Sequence, residues 1–404
     1  MRNVLFAAPF PRETTYRFVR ATARLHGVRL LGVVGESPQG ADARLFADQV
    51  RVADPLDAQQ LLDAARTLVR RHGPLHRIVG VLEPLQETLA AVREVLGVPG
   101  MDTRTTALFR DKGLMKDALR KAGLPCARHA VVDSFEAAQR FAGQVGWPLV
   151  LKPPAGMGAK TTWRVQNLTQ LQDALRAMGA SPQRPVIAEE FLRGREFSFE
   201  TITIQGKVHF TSASRYLPTP LEVLENPWMQ WAVFHPRSIQ GAPFDAARTL
   251  GTRAIAALGL RTAFTHMEWF QREDGSLAIG EIAARPPGAQ IVSANNYVHD
   301  IDLYRAWARA MVDEAYDGPW ERKYAVGVAF LRGMGRGRVL QVQGIDRMRR
   351  EAGHLIVAEE LPRFGTPRAD TYEGDGYVIV RHHDDEVVMA ALKVILENVR
   401  VTYG

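Results

Sequence analysis

The sequence predicts a chain of mixed class. An α/β domain on a parallel sheet comes first, α+β segments rich in antiparallel hairpins follow, and a small α+β domain closes the chain. Three observations predict this. Buried-strand and helical patterns alternate over residues 1–100, as in a parallel sheet covered on both faces. Strand–turn–strand patterns then dominate, at 149–165, 195–217 and 263–285. With 404 residues, 46% hydrophobic and 24% charged, the chain is globular and long enough for two or three cores.

Taken in order, "NVLFAAP" reads as a buried strand, "TYRFVRATARLHG" as a helix closed by Gly27, and "VRLLGVVG" as a second strand. "DAQQLLDAARTLVRRHG" is helical, "RIVGVLE" is a strand ending at Glu83, and "QETLAAVREVLG" is a helix stopped by Gly97. No G-x-G-x-x-G follows the first strand, so this domain, residues 1–100, is not read as a dinucleotide site. "TALFRDKGLMKDALRKAGLP" predicts one amphipathic helix stopped by Gly123 and Pro125. A strand, a helix and the 149–165 hairpin follow, then "PVIAEEFLRG" and a hairpin turning at Gln205-Gly206. Residues 212–243 read as a long irregular segment, ordered by its aromatic content, before a helix near 245–258. From Tyr316, strands, turns and a last helix, "DDEVVMAALKVILENVR", form the small C-terminal domain.

The formal net charge of +7 comes from scattered basic residues in short runs. That pattern argues against a nucleic-acid face, while a positive field would draw in an anionic substrate. Cys126 is the lone cysteine, so no intramolecular disulfide forms, which fits a reducing cytoplasm. The opening apolar run is too short for a signal peptide, and no run is long enough to span a membrane.

The stretch "LVLKPPAGMGAKTTWRV" invites comparison with a P-loop and fails it. Ala159 precedes Lys160, and Thr161, Thr162, Trp163 and Val165 favour a strand where a helix is needed. It reads as a hairpin whose glycine tip can still bring backbone N–H groups to a phosphate. A second hairpin supplies the sharpest local inference. With Asp274-Gly275 as a two-residue turn, Glu268 lies directly opposite Glu281. Facing carboxylates repel, so a cation belongs between them, and Mg²⁺ with its oxygen ligands is the natural one. Strand parity puts His266 and Arg285 on the same face, with Met267, Trp269, Gly280 and Ile282 on the other.

Lys112, Lys152, the glycine hairpin, "VIAEEFLRGREFS", the Glu268/Glu281 pair and "EIAARPPG" follow one another in an order that resembles the ATP-grasp superfamily, over about residues 100–310. The resemblance implies a preATP-grasp domain (1–100), an ATP-grasp domain (101–315) with a mobile lid subdomain at about 125–190, and the C-terminal domain (316–404). It implies that Lys112 and Lys152 contact the ATP phosphates, under a lid of Gly156, Gly158 and Lys160. It makes Glu189, Glu190, Phe191 and Leu192 the adenine hinge and gives the ribose to Glu196. Glu268 and Glu281 would bind one or two Mg²⁺ ions, with Mn²⁺ able to substitute, and Arg285 would face the transferred phosphoryl group or acyl phosphate. Many members carry Asn two residues after the second metal glutamate; Ala283 stands here.

The implied activity is ATP-dependent ligation of a carboxylate to an amine through an acyl phosphate. "EIAARPPG" and the small last domain look most like the enzymes that join L-amino acids into dipeptides. The implied partners are small-molecule substrates and, as is common among relatives, a second copy in a homodimer. Biotin-carboxylase-like and purine-pathway enzymes are the enzymatic rivals. "TSASRYLPTPLEV" lacks the paired arginines of the former. A non-catalytic ATP sensor is the rival of another class, against which Lys112, Lys152, Glu268 and Glu281 all stand. Arg215, His235 and His266 are candidates for substrate contact. "GMGRGRV" leads into a strand and so is not read as a nucleotide loop.

Overall fold

The computed structural model describes residues 1–156, 161–369 and 371–404. The first unit holds β1 (Arg2–Ala8), α1 (Glu13–Ala23), β2 (Val28–Val34), β3 (Asp48–Arg51), α2 (Ala58–His72), β4 (Leu75–Val79) and α3 (Leu85–Leu96). Its sheet is parallel throughout, in the order β3-β2-β1-β4. Strand β1 is buried on both faces, as a parallel sheet requires. The short edge strand β3 carries little apolar signal and is an addition to the sequence reading. Strand β4 ends at Val79, so Glu83 stands beyond the strand's carboxyl end, where open α/β sheets place their ligands.

The helix expected over "TALFRDKGLMKDALRKAGLP" is two, α4 (Thr103–Arg110) and α5 (Lys112–Lys121). Asp111 breaks it. Its backbone is extended (φ −90°, ψ 114°), and its carboxylate accepts from the N–H groups of Gly113 and Leu114. The N-cap preference of Asp overrides the helical periodicity and sets Lys112 at the start of a new helix.

The next unit comprises β5 (His129–Val132), α6 (Phe135–Val145), β6 (Leu149–Lys152), β7 (Trp163–Val165), α7 (Leu168–Met178) and β8 (Val186–Glu190). Its antiparallel sheet runs β5-β8-β6-β7, and α6 and α7 bury Phe141, Leu171 and Leu175 against Leu149 and Leu151. The 149–165 stretch is the expected hairpin. Its predicted contacts Gly158 and Lys160 lie outside the described residues.

The remainder is built on a sheet of eight strands and a separate sheet of three. It holds β9 (Arg195–Ile204), β10 (Lys207–Leu217), α8 (Pro220–Glu225), β11 (Trp231–His235), α9 (Phe244–Ala257), β12 (Ala263–Gln271), β13 (Leu277–Ala283), α10 (Ile291–His299), α11 (Leu303–Asp313) and β14 (Ala325–Leu331). Then come β15 (Gly333–Met334), β16 (Val339–Gln343), α12 (Ile345–Ala352), β17 (Ile356–Glu360), β18 (Gly376–His382), α13 (Asp385–Asn398) and β19 (Arg400–Tyr403). The sheet order is β13-β12-β9-β10-β11-β14-β18-β17. Strands from either side of residue 316 therefore share a sheet and a core, with Ala232 and Phe234 packed among Ala329, Leu331 and Val378. Residues 212–243 are less irregular than expected, since β10 runs on to Leu217 and "WAVFH" is the wholly buried β11. Helix α11 returns to the first unit, where Trp307 meets Phe18 edge-on at 5.0 Å.

The β12–β13 hairpin pairs Glu268 with Glu281 as expected, but by a different route. Gly275 N–H donates to Arg272 C=O and Arg272 N–H to Ser276 C=O, so the turn has three residues, Glu273 to Gly275. Gly275 sits at φ +82°, the left-handed position that such loops give to glycine. This shifts the register by one, and a bulge at Gly280 shifts it back, since Trp269 pairs with Ile279 while Glu268 pairs with Glu281. Met267, Trp269 and Ile282 turn into the core, as parity predicts. Among the described residues no helix is long and apolar enough to cross a membrane.

Candidate active site

The four-stranded sheet of β5 to β8 and the central sheet enclose a cavity of about 390 Å³. Every expected nucleotide or metal residue among the described positions lines it: Lys112, Lys152, Gly156, Glu189, Glu190, Phe191, Leu192, Glu196, Glu268, Glu281 and Arg285.

Its floor is a chain of alternating charge. Lys112 Nζ lies 3.0 Å from Glu281 Oε1, and Lys152 Nζ lies 2.9 Å from Glu189 Oε2. Between them stands Lys116, one helical turn after Lys112 and wholly buried, 3.4 Å from Glu189 Oε1. Lys116 Nζ also donates to Gly280 C=O at 2.5 Å, holding the carbonyl that the bulge frees. Burial alone would raise the Glu281 carboxyl, but Lys112, Lys152 and Lys116 bring it down to about 2. Burial likewise opposes the ionised Glu189, and Lys116 and Lys152 outweigh it, leaving its pKa lowered. Burial also lowers the Lys116 amine. Sequence reasoning missed Lys116, although a lysine between Met115 and Leu119 on the buried face of α5 was a readable anomaly.

The carboxylate pair fits a hard cation. Both glutamates face the cavity, with side chains 35% and 25% exposed. Burial and the charge of Glu268 push the Glu196 carboxyl well above its usual range, against the opposing pull of Lys152. Ala283, opposite His266, supplies no oxygen. Among the described residues no group of three or more His, Cys, Asp or Glu forms a metal site; Glu268 and Glu281 would offer an ion two carboxylates, leaving the rest of its shell to phosphate and water.

His266 also lines the cavity. Its Nδ1 is 3.0 Å from Glu200 Oε1 and its Nε2 is 3.3 Å from Tyr216 Oη. Burial would lower its pKa, but the hydrogen bonds to Glu200 and Glu268 raise it to about 9. Arg215 and His235 do not line the cavity. The pleat gives the cavity Tyr216 in place of Arg215. His235 is wholly buried beside Arg322, has no hydrogen-bond partner among the described residues, and is held well below its usual pKa by burial and that charge.

Arg285 is placed by the first unit. Glu83 Oε2 accepts from its Nε at 2.9 Å and from its Nη2 at 2.6 Å, while Glu83 Oε1 accepts from Arg110 at 2.6 Å. Burial would depress the Arg285 guanidinium, and Glu83 raises it. Glu83 was not among the predicted site residues; its place after a parallel strand was the available signal.

At the hinge, the Glu190 carboxylate pairs with Arg128, at 2.7 Å, and Arg272, at 3.3 Å. Phe191 lies under Arg164, whose Cζ is 5.5 Å from the ring centroid. Arg164 also reaches Glu225 on α8 at 2.5 Å, joining the two walls at the mouth.

Residues 117–294 match the ATP-grasp domain family. An L-arginine-specific L-amino acid ligase of Bacillus subtilis is 24% identical over 65% of this chain and 63% of its own length. Dapdiamide A synthase of Enterobacter agglomerans is 28% identical over 45% of this chain and 44% of its own. The matches thus span less than two thirds of either curated relative. The crystal structure of an L-amino acid ligase from Bacillus licheniformis superposes with a TM-score of 0.81 at 18% identity, covering 100% of this chain and 99% of that one. At that identity the likeness is one of fold.

Proposed function

We propose that this chain, which carries an ATP-grasp domain over residues 117–294, is an ATP-dependent ligase. It activates a carboxylate as an acyl phosphate and joins it to an amine, and its substrates are amino acids. The observation that carries this reading is the single cavity that gathers Lys112, Lys152, the facing Glu268 and Glu281, and Arg285. The activities named for the relatives agree with it.

In this reading ATP is a substrate. The substrate carboxylate attacks the γ-phosphorus as the bond to the ADP oxygen breaks. The neutral amine then attacks the acyl carbon, phosphate leaves, and the amine loses its proton. Glu268 and Glu281 would hold Mg²⁺, or Mn²⁺ with the same oxygen ligands, and the ion would supply neutralisation of phosphate charge. Lys112 and Lys152 offset charge on the transferring group. Arg285, oriented by Glu83, binds the acyl phosphate oxygens. Phe191 and Leu192 bound the adenine, and Glu196 takes a ribose hydroxyl. The β6–β7 hairpin brings Gly156 to the cavity, where it would help keep water from the acyl phosphate.

The test is ADP release with Mg·ATP over single and paired L-amino acids, with Glu281→Gln as control. Pair-dependent release, lost in the variant and accompanied by a dipeptide mass, is the expected result. A protein that binds ATP yet releases no ADP with any pair would overturn the assignment.

A further inference from the structure

We propose that Tyr372, brought back to the cavity by the segment between β17 and β18, makes its substrate end selective for an amino acid with an apolar side chain. The inference rests on the ligase reading only for the reaction the bound amino acid enters.

The end of the cavity beside Arg285 is walled by Tyr216, Trp231, Ala289, Ile291 and Tyr372. Trp231 is stacked on Phe330 with centroids 4.6 Å apart, and the Tyr372 ring meets it at a steep angle, 5.4 Å away. Two hydrogen bonds fix the Tyr372 segment: Trp231 Nε1 donates to Tyr372 C=O at 2.7 Å, and Ala289 N–H to Glu373 Oε1 at 3.1 Å. A Cβ at Gly288 would lie 3.5 Å from Tyr372 Oη, so the ring stands against the loop that follows Arg285. That loop is held in an unusual conformation, with Ala289 at φ +51° and Gln290 at φ +54°. Such strain is kept where the surroundings over-determine it. The wall is therefore preformed, and a preformed apolar wall loses little entropy on binding.

The charges around this wall are already engaged. Both oxygens of Glu83 are taken by Arg110 and Arg285. Burial raises the Glu373 carboxyl, and one of its oxygens accepts from Ala289. Glu268 Oε1 lies 3.9 Å from His266 Nε2. A guanidinium or ammonium side chain seated against the Tyr372 ring, which Trp231 backs from the buried side, would thus be desolvated without a partner, whereas an aliphatic or aromatic one would be matched.

The experiment measures equilibrium binding of L-leucine, L-methionine, L-phenylalanine, L-arginine and L-aspartate through tryptophan fluorescence, in the presence of Mg·ADP. ADP release with the same amino acids is measured in parallel. Wild type, Tyr372→Phe and Tyr372→Ala are compared, with ADP affinity as the check on folding. The expected result is tighter binding of the apolar amino acids. Tyr372→Phe keeps that order, and Tyr372→Ala weakens the apolar amino acids about tenfold, the scale of a lost aromatic contact, at unchanged ADP affinity. Apolar binding without ADP release would leave this inference standing and overturn the ligase reading. Tighter binding of arginine or aspartate, or unaltered leucine binding in Tyr372→Ala, would overturn this inference whatever the release assay shows. Loss of ADP affinity in Tyr372→Ala transfers the decision to the ranking in wild type and Tyr372→Phe. Failure of every amino acid to bind overturns it.

Discussion

Replacing Glu83 by Gln removes one negative charge from between two guanidiniums. Glu83 is 2% exposed, and the Arg110 and Arg285 side chains that it joins are 8% and 15% exposed. The amide keeps the size and one acceptor but leaves Arg285 without its paired carboxylate and Arg110 with only the exposed Glu87, 3.7 Å away. Breaking a buried ion pair from one side costs about 3–5 kcal/mol. At about 2.1 cal/mol/K per residue, unfolding of 404 residues as one unit carries about 0.85 kcal/mol/K. The expected fall in Tm is therefore about 4–6 °C, and larger if the first unit unfolds alone. Calorimetric melts of wild type and Glu83→Gln at pH 7 measure it. Glu13→Ala is the control, because the side chain of Glu13 is 54% exposed in its pairs with Arg17 and Arg20 and such pairs are worth about 1 kcal/mol or less. A shift for Glu83→Gln no larger than the control's would refute the claim that this carboxylate holds the first unit to Arg285. An ADP-release rate that falls while the KM for ATP stays constant would place the loss at the acyl end.

The lowered pKa of Glu189 makes its contribution to stability present above its ordinary value of 4.5 and lost as pH falls below it. Thermal melts from pH 7 to 3 should therefore drop below about pH 4.5. Glu189→Gln, which strands Lys116 and Lys152, should be less stable at pH 7 with a flatter acid limb, and an unchanged acid limb would contradict this. Gly194 has φ +143°, and a Cβ there would come 2.1 Å from Gln271 C=O. Gly194→Ala should cost about 3 kcal/mol and raise the KM for ATP, because this turn leads directly into Glu196; an unaffected melt would refute the constraint. Ala283→Asn adds an oxygen beside the metal pair and should lower the Mg²⁺ needed for half-maximal ADP release severalfold, as a metal titration would show.

Much of the fold was legible because it rests on local signals. Alternating strand and helix patterns marked the first unit, Gln205-Gly206 marked one hairpin, and parity assigned the two faces of β12. The Glu268–Glu281 pairing was right, yet the turn has three residues and the Gly280 bulge restores the register. A bulge is a compromise between strand twist and what packs beside it, here the Lys116 amine and the Phe270 ring, and no local pattern announces it. Asp111 was read as part of a helix because periodicity outvoted its capping chemistry.

The sequence by itself determined which chemical groups the chain carries and the order in which they come. The facing Glu268 and Glu281 were readable from the hairpin pattern, while Lys112, Lys152, Glu189, Glu196 and Arg285 were singled out by the family resemblance that their order carries. Only the tertiary structure decided which of them share charge and what surrounds them. Glu83 lies 202 positions from Arg285 and Lys116 lies 164 from Gly280, while Tyr372 stands beyond the matched domain altogether. Such contacts form because a buried charge must find a partner and an apolar wall must be filled. The partner is whatever the packed sheets bring within reach, and sequence distance says nothing about that.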